Sequence, residues 1–248
     1  QKIFERMRLK AVDNELKFFQ KKGVKTEGIV FTGGCTLNCP SNKIISESYP
    51  DMRLIFDNAC NDEGLSLGAS YAINYLNHGF QFDAWDSISS PFIGSHVEYL
   101  DEAKELALNL GFRVMDSRNH ADAANKIARA LTDMRIIILC HGRYESGPRA
   151  LGNRSFIGNA SDRRTHDILN CIKQRENWRP IAPMLREVDF ARYFSGPMDP
   201  HMLMNDVVID KSSIPAVTHF DNSARVQVVR DSNSIAYKVM SSLSKKGQ

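Results

Sequence analysis

The segment 141–155, HGRYESGPRALGNRS, contains three arginines and three glycines and directly follows the apolar run 136–139. Guanidinium groups are planar and permanently charged, and each can bind phosphate oxygens through two donors at once. Three of them on one glycine-bearing loop would repel each other unless an anion neutralised their charge. A solvated basic surface is the alternative, but it would usually contain more lysine and acid and fewer glycines. The segment therefore predicts a strand that leads into an anion-binding loop.

Positive charge is concentrated around this loop. Residues 143–179 contain eight basic and four acidic side chains, whereas the whole chain of 248 residues has a formal charge of only +3. Lys173, Arg175 and Arg179 belong to this window. Such local concentration suits a small polyanion such as a nucleotide better than a duplex, which needs an extended basic face, so we expect no nucleic-acid partner. An RNA-binding domain is the alternative, and its binding would depend steeply on salt.

Two further segments could contact a ligand. Gly33 and Gly34 lie between a predicted strand and a predicted helix, where a glycine turn and a helix start can hold a phosphate; a plain tight turn is the alternative. Asp62 precedes another predicted helix, so it could either cap that helix or bind a metal ion. Cys35 and Cys39 lie four residues apart without a second pair or a histidine cluster, so we expect packing residues rather than zinc ligands.

The stretch 215–227 is polar and alternates towards its end, which indicates a strand with one polar face. His219 within it is by residue type more often a structural hydrogen-bonding group than a catalyst, and Met202, upstream, is by default a core residue. The side chains expected on one strand face are Ser223, Arg225 and Gln227.

The composition is that of an ordinary globular protein, with 42% hydrophobic and 25% charged residues. No apolar run approaches the ~20 residues that cross a bilayer, and the first twenty residues are too charged for a signal peptide, so we expect no membrane partner. The five cysteines include no C-x-x-C pair. They are therefore expected to be free thiols of a reducing compartment, with the cytoplasm as the predicted location.

Periodicity predicts alternating helices and strands, and hence an α/β fold. No cap precedes the first helix, which suggests a cut in a longer polypeptide. The aperiodic segment 80–94 is the predicted linker between domains 1–90 and 91–248. The predicted helices are 2–22, 37–46, 65–76, 97–110, 121–131, 161–176, 188–193 and 232–243. The predicted strands are 28–31, 52–56, 112–115, 136–139 and 216–229.

Several long motifs follow one another along the chain. They are GGCxLN at 33–38, DxGxxxGA at 62–69, GRxExGPRALGNRS at 142–155, IKxRExWRPxAP at 172–183 and PAVTHxD at 215–221. With these motifs the sequence resembles the O-carbamoyltransferases of nodulation-factor and antibiotic biosynthesis, among them the enzymes that modify tobramycin and cephamycin. The resemblance covers nearly the whole chain.

The resemblance implies the C-terminal part of an actin-like, sugar-kinase-type domain, followed by an α+β domain similar to threonylcarbamoyl-adenylate synthases. It implies that the second domain makes carbamoyl-adenylate from carbamoyl phosphate and ATP, and that the first transfers the carbamoyl group to a hydroxyl of a small-molecule or sugar acceptor. The implied cofactors are ATP and a divalent metal, Fe or Mg, and a homodimer is compatible with the family.

The resemblance also implies roles for individual residues. Asp62 would be a metal ligand. The residues that would contact a nucleotide in the transfer domain are Gly33, Gly34, Cys35 and Asn38. The catalytic residues of the adenylate-forming site would be Arg149, Lys173, Arg179 and Arg225. The residues that would bind carbamoyl phosphate or ATP are these four together with Arg143, Arg154, Met202 and His219.

The sequence also departs from the family pattern. The family's chains are roughly twice as long as this one. In those chains an N-T-S-F-N-type block follows the position at which this sequence stops. Asp221-Asn222-Ser223 stands in place of D-G-T, and Asp199-Pro200-His201-Met202 stands in place of an S-P-aromatic-M motif. We therefore expect that the isolated chain cannot complete carbamoyl transfer. The alternative to an enzyme fragment is a non-catalytic nucleotide-binding or regulatory module of the same fold.

Overall fold

A computed structural model describes residues 1–79 and 90–244, and it is a mixed structure of helices and short strands. Its helices are α1 (Lys2–Lys21), α2 (Cys39–Ser48), α3 (Gly64–His78), α4 (Leu100–Asn109), α5 (His120–Thr132), α6 (Arg164–Ile172), α7 (Phe190–Tyr193) and α8 (Ile235–Ser244). Its strands are β1 (Gly28–Phe31), β2 (Arg53–Phe56), β3 (Ile137–Cys140), β4 (Arg154–Ile157), β5 (Met184–Arg186), β6 (Phe194–Ser195), β7 (Asp206–Val208), β8 (Ser223–Ala224) and β9 (Gln227–Val229). The α/β class is thereby confirmed at the level of mixed helices and strands.

The strands of the described residues form four small sheets. Strands β1 and β2 pair in parallel, and β3 pairs antiparallel with β4. The third sheet is the parallel pair β5–β9, and the fourth is the antiparallel set β6–β7–β8. The chain between β8 and β9 therefore changes sheets within two residues, at Arg225 and Val226.

The main core forms around α5. Asn119 caps this helix, because its Oδ1 accepts hydrogen bonds from the amides of Ala121 and Asp122, both at 3.0 Å. The helix buries one apolar face, as its sequence period predicts. The buried residues of this cluster come from α5, β3 and α8: Ala124, Ile127, Ala130, Leu131, Ile137, Leu139, Ile235 and Val239.

A smaller apolar cluster joins the beginning of the chain to its later part. Phe56 of β2 packs with Leu203 and Met204, which lie in the loop before β7. Next to this cluster, the buried amide of Asn42 on α2 donates to the carbonyl oxygen of Leu203 at 2.7 Å. The residues on either side of the predicted boundary at 90 therefore share a packed interface.

Some predicted elements need correction. The strand predicted at 112–115 is absent from the described structure, where these residues are irregular and have no pairing partner. The helix predicted at 161–176 spans only Arg164–Ile172. Of the strand predicted at 216–229, only β8 and β9 form, because their partners belong to different sheets. The linker predicted at 80–94 falls mostly on residues 80–89, which lie outside the described residues.

Candidate functional site

A cavity of about 850 Å³ opens beside the arginine-bearing loop. Its walls come from residues 148–161, the end of α6, the segment 180–185 and the crossing between β8 and β9. Two acidic residues, Asp189 and Asp210, also line it. The basic residues that line it are Arg149, Arg154, Lys173, Arg175, Arg192 and Arg225. The structure thus brings Arg149, Lys173 and Arg225, three of the predicted catalytic residues, to one concave surface.

The carboxylate of Glu145 determines the shape of the loop. Its Oε1 accepts hydrogen bonds from the backbone amides of Leu151 at 3.0 Å, Asn153 at 2.8 Å and Arg154 at 3.1 Å. One acidic side chain therefore closes the loop on itself and leaves Arg149 at its outer turn. This is the local reason why a sequence with three glycines holds a defined conformation.

The first part of the chain holds the same loop from the other side. Glu63 Oε2 accepts a hydrogen bond from the amide of Gly147 at 2.7 Å, and Asn58 Nδ2 donates to the carbonyl oxygen of Ser146 at 2.9 Å. Gly147 has a φ of +82°, and an added Cβ would overlap the Asn58 carbonyl. Only glycine fits at this contact.

Arg149 and Arg225 meet close to a buried thiol. The Nη2 of Arg149 lies 4.0 Å from Sγ of Cys39, the first residue of α2, and Cys39 is 1% exposed. Burial raises the pKa of Cys39, partly offset by the two guanidinium groups. Burial also lowers the pKa of Arg225, and repulsion from Arg149 lowers it further. Within the described residues the buried Nε atoms of both arginines have no hydrogen-bond acceptor.

The end of α6 carries two more cations to the cavity. The amide of Gln174 donates to the carbonyl of Cys171, and the amide of Arg175 donates to the carbonyl of Asn170 at 3.1 Å. Gln174 has a φ of +49°, so these bonds form a Schellman-type helix end that reverses the chain. Burial and repulsion from Arg175 lower the pKa of Lys173, although Lys173 stays open to solvent.

The four cations Arg149, Lys173, Arg175 and Arg225 form no ion pair with any described residue. The acids of the cavity are engaged elsewhere: Asp189 binds Arg186 at 2.6 Å, and Asp210 accepts from Ser212. Lys173 is exposed, but the three arginines are half-buried, and half-buried cations are normally paired. The arrangement therefore suits a multiply charged anion.

Two other predicted residues also line the cavity. The guanidinium of Arg154 donates to the carbonyl oxygens of His141 and Gly142 and lies 4.0 Å from the ring centroid of Tyr144. Its donors therefore point largely back into the protein. Met202 has a φ of +62°, and its carbonyl accepts a hydrogen bond from Sγ of Cys39 at 3.3 Å. Met202 is thus a loop residue at the cavity wall rather than a core residue.

Three predicted residues lie outside the cavity lining. Arg179 pairs with Glu176 at 2.6 Å. Arg143 is exposed and donates to the carbonyl oxygen of Gly94 at 3.2 Å. His219 lies behind Arg225, where burial and the positive charge of Arg225 lower its pKa to about 4. Its Nδ1 lies 3.2 Å from Oγ of Ser223, which matches the expected structural hydrogen-bonding role.

The glycine turn of the first part is open. Its Cys35 is exposed, so packing describes Cys39 but not Cys35. Gly33 has a φ of +82°, and no described atom would lie within 4 Å of a Cβ added at Gly33 or Gly34. Asn38 caps α2, accepting from the amide of Ser41 at 3.1 Å. All of these predicted nucleotide contacts lie outside the cavity lining, and their role stays a prediction.

Asp62 lies in the turn before α3 and forms no side-chain cap there. The neighbouring Glu63 binds the loop at Gly147 instead of capping the helix, so the capping interpretation of this pair is wrong. No group of three or more metal-ligating side chains occurs among the described residues. Asp62 alone does not make a metal site, and its role as a metal ligand stays a prediction.

Arg175 lies within the IKxRExWRPxAP motif, but neither the motif nor its residue type predicted a role for it. Arg175 is one of the basic residues concentrated in 143–179. Whether Arg175 or Arg179 faces the cavity depends on the backbone reversal at Gln174. The strand face predicted to carry Ser223, Arg225 and Gln227 does not form, because Arg225 lies between β8 and β9. Arg225 and Gln227 nevertheless both line the cavity. Ser223 does not, because the chain changes sheets between these residues and Ser223 turns towards His219.

All five cysteines are free. No helix in residues 1–79 and 90–244 combines the length and the apolar character required to cross a bilayer.

Comparison with known proteins shows which family and which proteins this chain is similar to. Residues 128–248 match the family described as "Carbamoyltransferase C-terminus". The chain is 33% identical to a 3'-hydroxymethylcephem-O-carbamoyltransferase of Amycolatopsis lactamdurans over 83% of its own length and 37% of that protein. A protein of the same name from Streptomyces clavuligerus is 34% identical over 81% of the chain and 36% of the relative.

Nodulation protein U of Azorhizobium caulinodans is 32% identical over 82% of the chain and 34% of that protein. The chain therefore spans little more than a third of the length of these relatives. The family match begins within α5 and includes β3, the arginine-bearing loop and every cation of the cavity.

Proposed function

We propose that the chain, whose residues 128–248 match the carbamoyltransferase C-terminus family, is part of an ATP-dependent O-carbamoyltransferase. Its cavity binds carbamoyl phosphate and ATP and forms carbamoyl-adenylate. The first part of the chain contributes to a second, actin-like site, which transfers the carbamoyl group to a hydroxyl of a small-molecule or sugar acceptor. The domain around the cavity is the one that resembles threonylcarbamoyl-adenylate synthases.

One observation supports this proposal most directly: four cations converge on the cavity without an acidic partner among the described residues. Carbamoyl phosphate and ATP together present several phosphate groups, which guanidinium groups bind with paired donors. Adenylyl transfer requires little covalent participation by the protein and much fixed positive charge. A preformed set of cations meets that requirement.

In the proposed reaction, water first releases phosphate from carbamoyl phosphate and leaves carbamate. A carbamate oxygen then attacks the α-phosphorus of ATP, a new P–O bond forms, and pyrophosphate leaves. Arg149 and Arg225 hold the phosphate oxygens, and Lys173 neutralises charge that develops on the leaving group. The cavity is concave, which limits the access of water to the activated carbamoyl group.

Isothermal titration of the 248-residue chain with carbamoyl phosphate and with ATP, together with an assay for pyrophosphate release, tests the proposal. Arg149→Ala should weaken binding of at least one ligand by about 1.5–3 kcal/mol, the range for a hydrogen bond to a charged group. Arg113→Ala removes an exposed arginine outside the cavity and serves as the control. Equal affinity of Arg149→Ala and the wild type would contradict the proposed site.

The assay also separates the enzyme from the non-catalytic module. Binding of both ligands without pyrophosphate release would favour a nucleotide-binding module. Pyrophosphate release that requires both ligands would establish the adenylate-forming step in this chain. Carbamoylation of a hydroxyl acceptor by the isolated chain would contradict our expectation that transfer needs further parts of the protein.

A further inference from the structure

Arg175 occupies a place in the cavity that the sequence motif would give to Arg179. Arg175 lines the cavity, whereas Arg179 lies outside its lining and pairs with Glu176. The Cζ of Arg179 lies 5.4 Å from the ring centroid of Trp178, and Trp178 is 75% exposed. The charge of Arg179 is thus partly satisfied at the surface, while that of Arg175 has no carboxylate partner among the described residues.

Asn170 fixes the orientation of the Arg175 guanidinium. Its Oδ1 accepts a hydrogen bond from Nε of Arg175 at 2.6 Å, and Nη2 of Arg175 donates to the carbonyl oxygen of Pro180 at 3.1 Å. These bonds use one edge of the guanidinium. The donors of Nη1 carry no described bond, so they are available to a phosphate group.

Asn170 itself is held firmly in place. It is 0% exposed, and its Nδ2 donates to the carbonyl oxygen of Arg179 at 2.9 Å. Its backbone carbonyl oxygen accepts a hydrogen bond from the backbone amide of Arg175 at 3.1 Å. The ring of His166, also buried, lies beside it, with Nε2 at 3.4 Å from Nδ2. One buried amide thus joins the end of α6 to the 179–180 backbone and to the cavity cation.

We propose that Arg175 binds a phosphate group of the ligand in this cavity and that Asn170 is its positioning residue. This inference rests on the proposed function, since it concerns the same cavity and the same phosphorylated ligands. It differs from the motif-based assignment because Arg175, rather than Arg179, supplies the cation at this wall of the cavity. A rigidly held guanidinium loses little conformational entropy when it binds a phosphate.

The test measures the affinity of the full 248-residue chain for ATP and for carbamoyl phosphate in separate titrations. Arg175→Gln should weaken binding of at least one ligand about tenfold, as the loss of one charged hydrogen bond implies. Arg179→Gln should lose less than Arg175→Gln. Arg164→Gln is the matched control, because Arg164 begins the helix that precedes Arg175, is 80% exposed and pairs with Asp162.

A double-mutant cycle tests the positioning role of Asn170. Asn170→Ala should weaken binding, and the double variant Asn170→Ala/Arg175→Gln should bind no more weakly than Arg175→Gln alone, because Asn170 acts through Arg175. A residue that only maintained the fold would add its own loss to the double variant. Additive losses would therefore contradict the positioning role.

Thermal unfolding of each variant without ligand checks that the fold is kept. If Arg175→Gln does not fold, Arg175→Lys keeps the charge but loses the bidentate geometry, and it should still weaken binding several-fold. Wild-type affinity in the folded Arg175 variant, or an equal or larger loss in Arg179→Gln, would overturn the inference alone. Failure of the wild-type chain to bind either ligand would overturn the proposed function and this inference together.

Discussion

The arginine-bearing loop and the glycine turn both carry glycine at a φ of +82°, but their surroundings differ completely. Gly147 of the loop lies against the backbone of Asn58 and donates its amide to Glu63. Gly33 of the turn has open space around it in the described structure. A glycine with the same φ is therefore enclosed in one region and free in the other.

This contrast shows how much of each candidate site the described residues supply. Around the loop, hydrogen bonds from Glu145, Glu63 and Asn58 fix the backbone that carries Arg149. Around the turn, Asn38 caps α2, Thr36 is buried, and Gly33, Gly34 and Cys35 are exposed. The first region therefore holds a preorganised set of cations, whereas a nucleotide at the turn would need contacts from additional groups.

The largest expected effect concerns the two glycines themselves. Gly147→Ala adds left-handed strain of about 1–2 kcal/mol and an overlap with backbone atoms that costs about 1–3 kcal/mol more. Gly33→Ala adds strain of similar size at the same φ but no overlap. Urea denaturation should therefore show a loss of unfolding free energy about 1–3 kcal/mol larger for Gly147→Ala, which is the cost of the overlap. Equal losses would mean that the loop is not enclosed as described.

Glu145→Ala should have the next largest effect. The change leaves three part-buried amides without their acceptor, which should lower the free energy of unfolding by about 3 kcal/mol. Because the loop loses its closure, affinity for ATP or carbamoyl phosphate should also fall. Glu102→Ala on the exposed face of α4 is the control and should change stability by less than about 0.5 kcal/mol.

If Glu145→Ala unfolds like the wild type, the glycines rather than the carboxylate would set the loop conformation. Such a result would remove the main difference between the loop and the glycine turn. Glu145→Gln gives an intermediate test, because its amide oxygen can still accept hydrogen bonds from the loop but carries no charge.

The sequence predicted the long helices and the strands β1, β2 and β3 because each has a local signal of period or apolar run. It missed β4 to β7 for a physical reason. Strands of two to four residues gain their hydrogen bonds from partners far along the chain, and β4 lies inside the arginine motif. The apolar residues at 112–115 had strand propensity but no partner strand.

The sequence was sufficient to predict that the site is positively charged, but it was not sufficient to predict the geometry of the site. Arg149, Lys173 and Arg225 could be named from residue types and motifs, and they do line one cavity. The choice between Arg175 and Arg179 depends on a single backbone reversal, in which Gln174 takes a φ that favours glycine. No local sequence signal fixes such a conformation at glutamine.

The smallest net effect is expected in the pH dependence of stability, where two buried groups oppose each other. Burial raises the pKa of Asp206, next to Lys43 of α2, from 3.8 to about 6. Between these values the folded state keeps a proton that the unfolded state releases. The stabilising contribution of protonated Asp206 is therefore complete below pH 3.8 and is lost as the pH rises through 6.

His219, close to Arg225, behaves in the opposite way. Burial and Arg225 lower its pKa from 6.5 to about 4, so the unfolded state binds the extra proton and stability rises with pH over this window. Each shift corresponds to about 2–3 kcal/mol, so the pair should change wild-type stability by less than about 1 kcal/mol between pH 4 and 6.5.

Single variants should separate the contributions of Asp206 and His219 to the pH dependence of stability. Relative to the wild type, Asp206→Asn should gain about 2 kcal/mol of stability between pH 4 and 6.5, because the rising contribution of His219 is then unopposed. His219→Asn should lose a similar amount over the same range. Urea denaturation at intervals of half a pH unit measures both slopes. Parallel profiles for His219→Asn and the wild type would mean that the imidazole beside Arg225 is solvated, and that the surroundings of Arg225 are as open as the glycine turn.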